Sequence, residues 1–150
     1  MGSITYAQIT NAIESKLGAA TGLSRSQSYD KLTDGMTDTP TLQVYWERDV
    51  TDPQGMTHQT TFRRGVQQVE MVFHADLFAR QRGHIGEDMR VLYVVMEAVR
   101  ATLEAETTKP YFDLDGIQAF RWTGERVTFE YGDPMLRFIG ARYVITVRVF

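Results

Sequence analysis

The sequence predicts an α+β domain, a mostly antiparallel sheet of four to five strands with two main helices packed on one face. Three observations predict it. Apolar residues recur at helical spacing in two stretches, they alternate at period two in several others, and the resulting order is helix, two strands, helix, three strands.

Ile9, Ile13 and Leu17 recur every four residues, with Tyr6 and Ala12 beside them, and predict a first helix over 6–19. Thr5 followed by Gln8 three residues later fits a capping box, and the Gly18 to Gly22 region supplies the stop. The stretch 21–41 is rich in Ser, Thr, Asp and Gly with little periodicity, and reads as a long loop or flexible arm. Leu42, Val44 and Trp46 then alternate with Gln43, Tyr45 and Glu47, the pattern of a half-buried strand over 41–48.

A long hairpin loop follows near 49–62, with the turn tetrapeptide Asp52-Pro53-Gln54-Gly55 at its tip. The return strand is expected over 63–75, with Val69, Met71, Phe73 and Ala75 on one face and Gln68, Glu70 and His74 on the other. A short connection cannot make a parallel crossover, so these two strands should pair antiparallel. Gly83 and Gly86 break the chain. Met89, Leu92, Val95, Val99 and Leu103 then predict a helix over 86–106, with Glu87 and Asp88 opposing the positive end of its dipole. Ile117 to Trp122 and Arg126 to Tyr131 read as two strands joined by a turn at Thr123-Gly124-Glu125. The closing strand puts Ile139, Ala141, Tyr143, Ile145, Val147 and Val149 on one apolar face, with Arg142, Thr146 and Arg148 opposite. So regular a strand is expected to be central or well paired. The whole, 1–150, reads as a single domain.

The 150 residues are 43% hydrophobic, with 16 Lys and Arg against 19 Asp and Glu and no cysteine. A chain of this length can bury about 70% of its unfolded surface, so its core needs neither disulfide nor structural metal. The missing cysteine excludes a thiol nucleophile, a zinc ribbon and an iron–sulfur cluster. The first 25 residues lack both a basic start and an apolar run, so the chain is expected to stay where it is made.

Catalytic patterns fail one by one. His58, His74 and His84 have no spacing that gathers a metal, and Asp113 and Asp115 precede Gly116 without the remaining ligands of a calcium loop. Glu47, Glu70 and Glu130 lie on expected strands and could pair as acid and base, but solvent-facing glutamates are the plainer reading. No phosphate-binding glycine loop occurs. No catalytic residue, metal ligand or cofactor is therefore read from the sequence, and the expectation is a protein without enzyme activity.

Charge type says more. Of the 16 basic residues 13 are arginine, whose planar fork suits interface ion pairs and phosphate contacts. They cluster as Arg63 with Arg64, Arg80 with Arg82, and Arg137, Arg142 and Arg148, whereas Asp30 to Asp52 holds six acidic residues against Lys31 and Arg48. Such a pattern suits subunits docking on one another, and equally a soluble surface of mixed sign.

The short opening helix, the hairpin of Leu42 to Trp46 with Val66 to Ala75, the segment Asp76-Leu77-Phe78-Ala79-Arg80 leading into the helix Glu87 to Leu103, and the closing strand Ala141 to Val147 together form a recognisable layout. In that layout the chain resembles the tail terminator (tail completion) proteins of long-tailed bacteriophages. The resemblance implies a structural virion protein forming a hexameric ring that caps the tail tube, stops its polymerisation and provides the head-docking surface. It implies as partners other copies of the chain, the major tail tube protein, the head–tail connector protein and genomic DNA passing through the lumen without sequence recognition. The implied location is the head-proximal end of the virion tail, reached after assembly in the host cytoplasm. Arg63, Arg64, Arg80 and Arg82 are candidate lumen or subunit-interface residues from charge clustering alone. A neck adaptor between head and tail is the alternative, and a small-ligand-binding α+β domain a third.

Overall fold

The computed structural model describes residues 4–23, 25–27, 40–50, 58–60, 67–83, 85–131 and 136–149. Helix α1, Tyr6–Leu17, opens on the expected capping box: the Gln8 N–H donates to Thr5 Oγ1 at 3.1 Å, and the Thr5 N–H donates to Gln8 Oε1 at 2.9 Å. Two of the four orphan amides of the first turn are thereby satisfied. Its buried stripe is Ile9, Ile13 and Leu17.

Among the described residues, six strands make one sheet: β1 Arg25–Gln27, β2 Thr41–Asp49, β3 His58–Thr60, β4 Gln67–Gln81, β5 Ile117–Tyr131 and β6 Leu136–Val149. The order is β1-β2-β4-β6-β5, and β3 lies along β4 opposite residues 67–69. The four long strands are antiparallel to their neighbours, while β1 runs parallel to β2. Helix α2, Ile85–Glu104, joins α1 on one face, as expected for an α+β fold. Core residues Ile9, Ile13, Leu92, Val95, Val99 and Leu103 from the helices meet Leu42, Val44, Phe73, Ala75, Leu77, Tyr143, Ile145 and Val147 from the sheet. The closing strand β6 is paired on both sides, between β4 and β5, while β4 holds the middle of the order.

Four expectations are corrected. The arm expected near 21–41 contains a short strand, β1, tied to α1 by a hydrogen bond from Ser26 Oγ to Glu14 Oε1. The loop expected near 49–62 contains β3, and the return strand continues to Gln81, the rest of the loop lying outside the described residues. Residues 117–131 form one continuous strand, without a turn at Thr123-Gly124-Glu125. Gly124 is accommodated because a Cβ there would lie 2.8 Å from Cε1 of Tyr143, whose ring fills the space. Periodicity sees glycine as punctuation, but here it makes room for a neighbour's ring.

The connection from α2 to β5 is unusual. Phe112 and Asp113 both adopt left-handed backbone, with φ of 55° and 56°, a conformation costly for a bulky residue. Three contacts hold it there: the Phe112 N–H donates to Glu106 Oε2 at 2.8 Å, and Lys16 Nζ lies 3.3 Å from Glu106 and 3.0 Å from Asp113. The Phe112 ring is buried beside Phe120, with centroids 4.8 Å apart.

Candidate functional site

The sheet face away from the helices carries the largest polar cluster. Asp76 on β4 sits directly opposite Arg142 on β6. The guanidinium grips the carboxylate with two hydrogen bonds, Nε to Oδ1 at 2.8 Å and Nη2 to Oδ2 at 3.2 Å, and Tyr45 Oη donates to Oδ2 at 2.6 Å. His74 Nδ1 lies 3.4 Å from Tyr45 Oη and 3.7 Å from Glu47 Oε2. Arg142 also stands over the Phe129 ring at 5.7 Å, and Phe129 stacks on Phe78 at 4.4 Å.

The electrostatics of this cluster are those of a closed network. Burial raises the Tyr45 pKa well above its ordinary value, and the hydrogen bond to Asp76 raises it further. Burial and then the Arg142 charge lower that of His74. The Asp76 hydrogen bond raises that of Arg142. The Tyr45 hydroxyl donates to a carboxylate that Arg142 already holds with two hydrogen bonds, so these three groups satisfy one another. Sequence reading missed Asp76, whose only signal was an acidic residue on the polar face of an apolar strand. The glutamates read from the sequence do not converge: Glu70 pairs with Arg148 at 2.9 Å, Glu130 lies 3.7 Å from Arg137, and Glu47 stands beside His74. Among the described residues no three His, Asp or Glu side chains gather as a metal site requires.

Only some of the clustered arginines lie among the described residues. Arg63 and Arg64 lie outside the described residues. Arg80 Nε lies 3.0 Å from Oδ1 of the buried Asp88, out of line for a hydrogen bond. The other Asp88 oxygen accepts from the Gly83 N–H at 3.1 Å. This pairing fixes the passage from β4 into α2. Arg82 is exposed in that passage, and its N–H donates to the Arg137 carbonyl at 2.8 Å.

What the structure leaves open is elsewhere. A groove of about 620 Å³ runs between α2 and the β5–β6 side of the sheet, lined by Met89, Leu92, Met96, Trp122 and Tyr143. Beside it α2 exposes Tyr93 and Val94, at 54% and 58%. Burial pushes the Tyr143 pKa up to about 12, and its hydroxyl donates to the Met96 carbonyl at 3.1 Å. The rim charges are Arg126, whose Nη1 meets Met89 S at 3.4 Å, and the Arg100–Glu104 pair at 2.8 Å. Along this groove β5 is the outer strand of the sheet, and among the described residues no strand pairs with its outer edge. Apolar lining, two methionines and a strand edge unpaired among the described residues thus lie side by side.

No protein-family model and no curated protein sequence matches this chain. No helix among the described residues is long and apolar enough to cross a membrane.

Proposed function

We propose that the protein is a structural component of a phage tail, of the terminator kind, forming a ring that caps the tail tube, stops its growth and receives the head. The observation that carries this reading is the β5 edge, unpaired among the described residues, beside an apolar groove. Uncovered apolar surface and an open strand edge are what assembly uses. A ring needs two different patches on each subunit. The groove side is one, and the arginine-bearing passage at Arg82 is assigned to the other patch or to the lumen. Arg80 is held by Asp88 and serves the fold first.

The tail tube protein and the head–tail connector are the partners this role requires, with DNA passing through unread. Native mass spectrometry and electron microscopy, with and without purified tail tubes, test it. A closed ring seated on tube ends is expected. A chain that neither rings nor binds tubes defeats the reading, and preferential capture by portal protein over tube protein transfers it to a neck adaptor.

A further inference from the structure

The outer edge of β5 is long, and its charged residues, Arg121, Glu125, Arg126 and Glu130, are of both signs and so can be answered by a second copy of the same strand. Fifteen residues present about 50 Å of strand. They include no lysine and no proline, and the only register shift is at the end, between Ile117 and Ala119. Sheet edges left like this pair with something.

The side chains of β5 show what fits. In an antiparallel pair, residues directly opposite share a face, with Cβ atoms about 5 Å apart. Consider a second β5 placed antiparallel on a twofold axis through Thr123. Thr123 then faces its own copy. Arg121 faces the other Glu125, and Glu125 the other Arg121, on the sheet face away from the helices. On the groove face Trp122 lies opposite Gly124, and Phe120 lies opposite Arg126. Sliding either strand by the next permitted step separates Arg121 from Glu125.

The charges concerned are available. Among the described residues Glu125 and Arg126 form no ion pair: Glu125 stands across from Arg142, which Asp76 holds, and Arg126 rests on Met89. Arg121 lies 3.5 Å from a Glu70 that Arg148 already holds at 2.9 Å. The groove face also matches, because the incoming Arg126 lies opposite Phe120, whose ring accepts a cation over its face; the hollow beside that ring is lined by Arg121 and by Glu104, which Arg100 holds. Trp122 covers the bare Gly124 of the other copy, where no side chain of its own competes. Each of these contacts occurs twice.

We infer that the free protein self-associates as a twofold dimer through β5, centred on Thr123 and keyed by reciprocal Arg121–Glu125 pairs. The contact is isologous, whereas a terminator ring closes heterologously, so the dimer goes beyond the ring reading and stands or falls without it. It covers the strand edge most exposed to irregular pairing before assembly.

Three variants test it by analytical ultracentrifugation, each checked for folding by circular dichroism and heat denaturation. R121E and E125R each place like charges across the axis twice, and each alone should weaken self-association about 100-fold. Mixed in equal amounts they should form a heterodimer of wild-type strength, because every cross-axis pair is then opposite in sign. The doubly reversed R121E/E125R chain should dimerise alone, and it serves if a single variant fails to fold. A monomeric wild type, single variants that associate like wild type, or a mixture that stays monomeric overturns the inference. A wild-type ring indifferent to all three also overturns it and leaves the terminator reading standing. A dimer that never rings or binds tubes does the reverse.

Discussion

At the residue scale, His74 is the group most sensitive to conditions. Its ring is partly buried, and desolvation together with Arg142 and Arg48 lowers its pKa, while Asp76 and Glu47 pull in the opposite direction without prevailing. Unfolded, it titrates near 6.5. The folded state therefore binds this proton less readily than the unfolded state. Its contribution to stability is complete above about pH 6.5 and is lost as the pH falls toward the lower folded value. Heat-denaturation midpoints of wild type and His74→Gln, compared between about pH 7 and 5, should show a shallower decline in the variant. Equal slopes would mean that this ring does not couple to folding. The network around it was only partly legible in the sequence. His74 and Arg142 were placed correctly on polar faces, but that Asp76 faces Arg142 depends on a register that no single strand encodes.

At the scale of elements, the helices were legible almost to the residue because their apolar spacing, capping box and acidic first turn agree. The strands were legible as pattern and less so as extent. β1 and β3 are three residues each, too short to show a period, and β5 hid behind Gly124. A second glycine shows how closely the strands meet. A Cβ on Gly140 of β6 would stand 1.9 Å from the Leu77 carbonyl oxygen of β4, next to the register shift between Phe78 and Arg80. Backbone cannot yield as a side-chain tip can, so Gly140→Ala should cost about 3 kcal/mol by overpacking. Gly83→Ala, where nothing lies within 4 Å of the new methyl, should be within about 0.5 kcal/mol of wild type. Urea denaturation of the two variants side by side measures the contrast, and similar losses would contradict the close approach.

At the scale of the molecule, one buried cluster joins both helices to the long strands. Trp46 reports on β2, where it stacks on Tyr6 at 4.6 Å, and Trp122 reports on β5 beside Tyr143. Unfolding should therefore be a single transition. Fluorescence of Trp46→Phe and Trp122→Phe, each leaving one reporter, should coincide with far-ultraviolet circular dichroism in its own sample. An earlier transition at Trp122 would show the outer strand detaching alone. The fold class was legible at this scale because two periodicities suffice to tell helices from strands. The order of strands was not, since any of several apolar faces could have taken the centre. The candidate docking groove was invisible for the same reason: Met89, Met96, Trp122 and Tyr143 belong to three separate elements, and only the sheet order brings them together.

That order has a consequence for the way the chain is made. The strand that joins β4 to β5 is β6, and it leaves the ribosome after both. Until it emerges, the inner edges of two fifteen-residue strands lack the partner they share. Folding cannot be banked segment by segment during translation, and must wait for pairings distant in sequence. The nascent chain thus carries its longest sticky edges through synthesis, and a holdase or rapid release matters more for it than for a protein whose central strand comes first.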